Sequence, residues 1–168
     1  MTSCSDQDSK LFRILFVCLG NICRSPAAEA SFRNLCQQQG TSQHFTWDSA
    51  GTAAYHIGKA ADSRMRAAAE ARGIAMGDLR ARQVQSADFY KFDLVVAMDY
   101  SNLANLQAIQ PPDSKAKLVM MLDYDGASET EVPDPYYGAM DGFDQVLDML
   151  DKACRHMHNQ YSQGLFIK

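Results

Sequence analysis

Residues 12–39 read FRILFVCLGNICRSPAAEASFRNLCQQQ, a strand-like run, a short loop and a helix-like run in succession. The run from Leu11 to Val17 is almost continuously apolar, which is typical of a central parallel strand buried on both faces. From Pro26 onward, apolar residues recur at helical spacing and predict a helix that ends near Gly40. The stretch therefore predicts one strand, loop and helix unit of a parallel α/β sheet.

The rest of the chain repeats this alternation. Further strands are predicted at residues 44–50, 92–98 and 117–122, and helices at residues 59–72, between Asp99 and Pro111, and from Asp141 onward. Strands that alternate with helices imply right-handed crossovers. We therefore predict an α/β fold, a doubly wound parallel sheet with helices on both faces, whose ligands bind beyond the carboxyl ends of the strands.

Length and composition limit the class of protein. With 168 residues, of which 46% are hydrophobic, the chain can bury one substantial core. We expect a single domain over residues 11–162, between a flexible N-terminal tail at residues 1–10 and a C-terminal tail at residues 163–168. Residues 1–10 lack the apolar run of a signal peptide, and no segment approaches membrane-spanning length. The formal charge of −4 disfavours nucleic acid as a partner, and no membrane partner is expected.

The five cysteines, at positions 4, 18, 23, 36 and 154, lack the spacing of a disulfide framework. Such a set is typical of a reducing compartment, in which a cysteine can stay a free thiol. A cytoplasmic location is therefore expected, and secretion without a signal peptide is left open. The histidines form no ligand cluster with the cysteines, so neither a metal nor a cofactor is expected.

Cys18 lies where the first strand ends and its helix is about to begin. Helix-terminal amides and the helix dipole stabilise negative charge at such a position, which favours thiolate over thiol. Gly20 allows a tight turn, and Asn21 tolerates a left-handed conformation. Successive amides can then point into one concavity that binds phosphate, sulfate or another oxyanion. The residues predicted to supply this cradle are Leu19, Gly20, Asn21, Ile22, Cys23 and Arg24.

Arg24 completes the predicted cradle, because its planar guanidinium can hold two oxygens of a phosphoryl group at once. Ser25 is expected to cap the helix and to donate a hydrogen bond to the Cys18 sulfur, with Pro26 at the first helical position. This arrangement favours nucleophilic attack on a phosphate ester. A buried structural cysteine beside a surface arginine is the alternative, and it leaves the Gly-Asn turn unexplained.

Four motifs make the chain resemble the low-molecular-weight protein tyrosine phosphatases, with features of the bacterial members. They are CLGNICRSP at residues 18–26, Asp48-Ser49-Ala50-Gly51, Ala81-Arg82-Gln83 and Asp134-Pro135-Tyr136-Tyr137-Gly138. The resemblance implies four strands in the order 2-1-3-4. It also implies a metal-independent hydrolase that removes phosphate from tyrosine-phosphorylated proteins through a cysteinyl-phosphate on Cys18.

The resemblance further implies roles for residues outside the first unit. Asp134, stiffened by the prolines on either side, would act as general acid and then general base. Tyr136 and Tyr137 would form an aromatic wall for the substrate, with Tyr55 on the opposite wall. The remaining implied roles are support of the phosphate loop by Asp48 and Ser49, and a disulfide between Cys18 and Cys23 under oxidation.

Three alternatives remain at this point. An arsenate reductase of the same fold would need a resolving cysteine pair, and no cysteine occurs between Cys36 and Cys154. A phosphoarginine phosphatase shares the loop and mechanism, and Ile22 stands where such relatives tend to have threonine. A phosphotyrosine-binding module without activity would have lost the nucleophile, the arginine or the acid, and all three are present.

Overall fold

Four parallel strands form one sheet in this computed structural model, which describes residues 11–124, 130–138 and 141–166. The strands are β1 (Phe12–Cys18), β2 (Phe45–Gly51), β3 (Leu94–Ala97) and β4 (Lys117–Met120). Their spatial order is β2-β1-β3-β4, and every neighbouring pair is parallel. The predicted doubly wound sheet with strand order 2-1-3-4 is confirmed.

Helices cover both faces of the sheet. They are α1 (Arg24–Gln39), α2 (Ser63–Glu70), α3 (Asp88–Lys91), α4 (Tyr100–Ile109) and α5 (Asp141–Phe166). On one face, α1 and α5 pack against each other and against the side chains of Ile14 and Phe16. On the other face, Leu15 and Val17 belong to a second core cluster with residues of α3 and α4. β1 is therefore buried on both sides, as its apolar run predicted.

Some element boundaries differ from those predicted. α1 begins at Arg24, so Pro26 takes its third position, and no side chain caps it. α2 begins at Ser63, not residue 59, because the Asp62 carboxylate accepts hydrogen bonds from the backbone amides of Arg64 and Met65. α5, predicted from Asp141 onward, ends at Phe166.

The predicted N-terminal tail at residues 1–10 lies outside the described residues, as do residues 167–168 of the predicted C-terminal tail. Within the described ranges, no helix combines the length and the apolar character needed to cross a bilayer.

Gly51, at the end of β2, lies directly beneath the loop that follows β1. It pairs in register with Cys18, and the next residues, Thr52 and Ala53, donate backbone hydrogen bonds of 2.9 and 3.0 Å to the carbonyls of Cys18 and Leu19. A Cβ atom at Gly51 would lie 2.7 Å from the Leu19 carbonyl oxygen. Only glycine allows the two backbones to approach so closely.

We predict that Gly51→Ala destabilises the protein by about 1–3 kcal/mol, because a methyl group must displace backbone and not a flexible side chain. Gly77→Ala is the matched control, since a Cβ atom there meets nothing within 4 Å. Denaturant unfolding of both variants measures the difference. Equal stability of the two variants would contradict the steric argument.

Candidate active site

A cavity of about 240 Å³ opens at the carboxyl end of β1. Three parts of the chain form its walls: the loop at residues 18–25, which we call the oxyanion loop, the segment after β2, and residues 130–138, which we call the acid loop. The lining residues are Cys18, Leu19, Gly20, Ile22, Cys23, Arg24, Tyr55, His56, Asp134 and Tyr136. This is the edge at which open α/β sheets bind ligands.

Cys18 lies at the floor of the cavity with only 3% of its surface exposed. Its Sγ accepts a hydrogen bond from the Ser25 amide at 3.4 Å and lies 3.0 Å from Ser25 Oγ. Ser25 Oγ accepts a hydrogen bond from Asn21 Nδ2 at 2.8 Å, so its single proton goes either to the sulfur at 3.0 Å or to the Ala50 carbonyl at 3.4 Å, and the shorter contact favours the sulfur. Two donors at the start of α1 thus stabilise negative charge on Sγ. The Ser25 side chain therefore contacts the Cys18 sulfur and does not cap α1, contrary to the prediction that it would do both.

Arg24 is 2% exposed and held in one orientation. Its Nη1 donates to Asp99 Oδ2 at 2.6 Å and to the Val132 carbonyl at 3.1 Å, while Nη2 lies 3.6 Å from Asp134 Oδ2. Burial opposes the charge, but negative charge at Cys18, Asp99 and Asp134 outweighs it and raises the pKa of Arg24 above its ordinary value. A fixed cation therefore lines the same cavity as Cys18.

Asp99 has a second role that the sequence analysis did not assign. Its Oδ1 caps α4 by accepting from the Asn102 amide at 2.7 Å, and its Oδ2 holds Arg24. The available signal was its position just after β3, because the ends of neighbouring parallel strands meet at one edge of the sheet.

The Asn21 side chain supports the oxyanion loop through hydrogen bonds. The residue has a φ of 57°, the left-handed conformation that the sequence predicted. Its Nδ2 donates to Ser25 Oγ and, at 3.0 Å, to Ser49 Oγ, while its Oδ1 accepts from the Arg82 amide at 3.0 Å. The side chain thus supports the loop from beneath.

Asp48 binds the side chain of Arg82, whose backbone amide donates to Asn21. The Arg82 guanidinium lies between two carboxylates, Asp48 at 3.0 Å and the buried Asp88 at 3.0 Å. Asp48 also accepts from the Ser49 amide at 2.8 Å. These contacts fix the segment whose backbone amide reaches Asn21. Arg82 appeared in the sequence analysis only as part of a family motif, and Asp88 did not appear.

The acid loop is tied to the sheet on the other side of the cavity. The Val132 amide donates to the Met98 carbonyl at 2.8 Å, and Glu131 accepts from the Tyr100 amide at 2.9 Å. Asp134 Oδ2 then lies 3.6 Å from Arg24 Nη2, and Asp134 Oδ1 accepts from the Tyr136 amide at 3.0 Å. The loop is therefore anchored close to its carboxylic acid.

Aromatic side chains stand at the rim. Tyr136 is 37% exposed and Tyr55 is 72% exposed, and both line the cavity. His56 lines the same wall as Tyr55. Tyr137 belongs to the short helical turn at Pro135–Tyr137, and its side chain lies outside what the structure describes.

The four cysteines that the structure describes divide into two groups. Cys18 and Cys23 line the cavity, whereas Cys36 and Cys154 are buried in the core. All of these are free thiols. Burial, followed by the negative charge of Asp62, raises the pKa of Cys23 far above its ordinary value, so this residue is a neutral thiol near neutral pH. The described residues contain no group of histidine, cysteine and acidic side chains that could hold a metal ion.

Residues 13–164 match the family model described as low molecular weight phosphotyrosine protein phosphatase. The chain belongs to this family. The low molecular weight phosphotyrosine protein phosphatase of Schizosaccharomyces pombe is 43% identical over 85% of this chain and 93% of its own length. The human protein of the same name is 42% identical over 84% of this chain and 90% of its own length.

A solved structure of another phosphatase shares the fold. A protein tyrosine phosphatase from Entamoeba histolytica, with Hepes in its active site, superposes with a TM-score of 0.87 at 44% identity. The match covers 92% of this chain and 99% of the other. The predicted family is therefore confirmed, and with it the class of metal-independent phosphatases.

Glu29 is a buried member of the phosphatase site that the sequence analysis did not find. It lies on α1 beneath the oxyanion loop, is 7% exposed, and accepts a hydrogen bond from Ser49 Oγ at 2.7 Å. Burial raises its pKa from about 4.5 to about 7, although the hydrogen bond from Ser49 opposes the shift. In the sequence, Glu29 stands out only as an acidic residue between Ala28 and Ala30.

We predict that Glu29 makes the phosphatase lose stability as pH rises from about 4.5 to about 7. The raised pKa means that the folded protein binds this proton more tightly than the unfolded chain does, so deprotonation costs up to about 3 kcal/mol. Glu29→Gln keeps the oxygen that accepts from Ser49 and removes the charge. The variant should therefore gain stability relative to the parent protein across this pH range.

Denaturant unfolding at several pH values measures this difference. Glu70→Gln is the control, because Glu70 is an exposed glutamate on α2 and its replacement should follow the parent protein at every pH. A constant offset between Glu29→Gln and the parent protein across the range would contradict the prediction.

Proposed function

We propose that this protein hydrolyses phosphotyrosine in tyrosine-phosphorylated proteins, with Cys18 as nucleophile, Arg24 as the residue that binds the phosphoryl group and Asp134 as general acid and base. One observation carries the proposal: Cys18 Sγ, the Arg24 guanidinium and the Asp134 carboxyl group line the same small cavity. A phosphate monoester needs these three functions together: a nucleophile, a fixed positive charge and a proton for the leaving oxygen.

In the first step, the Cys18 thiolate attacks phosphorus, and a phosphorus–sulfur bond forms as the phosphorus–oxygen bond to the tyrosine breaks. Asp134 gives its proton to the departing phenolate oxygen. Arg24 and the amides of the oxyanion loop stabilise the charge on the transferring group. The carbonyls of Cys18, Leu19 and Ile22 accept hydrogen bonds from outside the loop, which supports amides that face the cavity.

In the second step, water attacks phosphorus and the bond to sulfur breaks, so that inorganic phosphate leaves and the Cys18 thiolate is restored. The Asp134 carboxylate, which has lost its proton in the first step, takes a proton from this water. The acid is thereby returned to its starting state. Cys18, Arg24 and Asp134 complete the cycle without a cofactor.

The rim supports an aromatic substrate. Tyr136 and Tyr55 present exposed rings on two sides of the cavity, and both can contact the ring of a phosphotyrosine. The burial of Cys18 also favours a long, flat side chain over the shorter side chain of phosphoserine. We therefore propose tyrosine-phosphorylated proteins as partners, and inorganic phosphate or sulfate as competing ligands.

The cysteines support a reducing, cytoplasmic compartment, because catalysis requires Cys18 as a free thiolate. We also propose that an external peroxide oxidises the Cys18 thiolate to a sulfenic acid, and that the sulfur of Cys23, which lines the same cavity, then displaces its hydroxyl group as water to form a disulfide. Cys36 and Cys154 are buried in the core, so they offer no thiol relay of the kind that an arsenate reductase needs. That alternative is not favoured.

The test of the proposed function is the Cys18→Ser variant, assayed with a reductant and without added metal. We expect no turnover of a phosphotyrosine peptide and continued binding of inorganic phosphate in isothermal titration, because a hydroxyl group is a much weaker nucleophile at neutral pH. Acid-quenched parent protein should carry phosphate on Cys18 in a mass spectrum. Full activity of the variant would contradict the proposal. Phosphoserine and phosphoarginine peptides, and arsenate, assayed in parallel, separate the alternatives.

A second prediction concerns the acid. Asp134→Asn should lower kcat/KM by about 10²–10⁴ for phenyl phosphate, whose leaving group needs a proton, and far less for 2,4-dinitrophenyl phosphate. Asp151→Asn, at an exposed carboxylate on α5, should leave both values unchanged. Equal losses for the two esters with Asp134→Asn would exclude the acid role.

A further inference from the structure

Arg64, in the first turn of α2, is held in one orientation by its neighbour Asp62. Its Nε and Nη2 donate to the two carboxylate oxygens of Asp62 at 3.1 and 2.9 Å. Asp62 in turn caps α2 and holds the guanidinium plane, so a side chain that is one-third exposed does not move freely. The guanidinium is therefore a fixed element of the surface beside the cavity.

Two aromatic rings lie within cation–π distance of this guanidinium. Its central carbon is 5.2 Å from the centre of the Tyr136 ring and 4.8 Å from that of Phe143, at the start of α5. Arg64 Nη2 also donates to the Tyr136 carbonyl at 3.3 Å. Arg64 thus contacts both the ring and the backbone of Tyr136, two residues after the proposed acid.

These contacts connect the two loops of the site. On one side, the Asp62 amide donates to the Ile22 carbonyl in the oxyanion loop at 2.8 Å. On the other side, the Tyr136 amide donates to Asp134 Oδ1 at 3.0 Å. The path from Ile22 through Asp62, Arg64 and Tyr136 to Asp134 consists of adjacent, directional contacts.

We propose that Arg64 is a positioning residue that sets the distance between the carboxyl group of Asp134 and the oxyanion loop. The proposal rests on the acid role of Asp134 given under the proposed function. The tie at Val132 and Glu131 fixes the start of the acid loop to the sheet, and Arg64 fixes the part that follows the acid. A carboxylic acid held between two anchors keeps its place relative to the phosphoryl group that the oxyanion loop binds.

This role makes a specific kinetic prediction. A displaced acid slows only the step that needs its proton, so the loss in kcat/KM grows with the basicity of the leaving group. A change in the aromatic wall, by contrast, affects two aryl phosphates of similar size to a similar extent. The ratio of kcat/KM for phenyl phosphate to that for 2,4-dinitrophenyl phosphate therefore separates positioning of the acid from binding of the ring.

The experiment compares Arg64→Ala with Arg72→Ala. Arg72 follows α2 and binds Asp144 and Asp148 on α5 at 3.3 and 2.8 Å, so it also joins these two helices without touching the acid loop. We expect Arg64→Ala to lower the ratio about tenfold or more, since displacement of a catalytic group by an ångström costs up to about 10²-fold. Arg72→Ala should leave the ratio unchanged.

A double-mutant cycle with Asp134→Asn completes the test. Once the acid is absent, Arg64→Ala should lower the ratio no further. If Arg64→Ala does not fold, Arg64→Lys replaces it and should lower the ratio in the same direction by a smaller factor, because lysine cannot bind both oxygens of Asp62.

Equal losses for both esters, or the same fractional fall in the ratio with and without Asp134, would overturn the proposal for Arg64. If the parent protein hydrolyses neither ester, or if Asp134→Asn does not lower the ratio, the proposed function itself fails. The two failures are therefore distinguishable.

Discussion

The site depends on a place at the end of β1 that is nearly closed to water and is built to hold a negative charge. Cys18 is almost completely buried, and an uncompensated anion at such a position would be strongly disfavoured. The start of α1, the Ser25 hydroxyl and the buried Arg24 supply the compensation. Each of these groups must be held in position. The other residues of the site provide the contacts that hold them.

Two kinds of support achieve this. The backbone of β2 passes directly beneath the oxyanion loop at Gly51, where no side chain fits. Polar side chains fill the remaining space: Asn21 is bound by Ser25, Ser49 and the Arg82 amide, and Glu29 lies behind Ser49. Buried polar groups are costly unless each finds a partner, and a network that satisfies its members makes the loop rigid.

The acid loop is supported in a different way. Its position depends on contacts with β3, α4 and α2 that lie far away in sequence, including those of Val132 with Met98 and of Tyr136 with Arg64. No spacing of residues along the chain indicates these contacts. The sequence predicted Asp134 only through the family motif that contains it, and it gave Arg64 no role in positioning the acid, because a charged residue near a helix start usually faces solvent.

The sequence by itself determined the sheet, its strand order through the family motifs, and the turn from Cys18 to Arg24, because these follow from local patterns: apolar runs, helical spacing and the Gly-Asn pair. Tertiary structure alone decided the roles of Asp99 and Glu29 in the site. Asp99 holds Arg24, and Glu29 takes up a pKa of about 7, only because folding brings distant elements together and removes water from between them. Charge interactions depend on distance and burial in space, and neither is written in the order of residues.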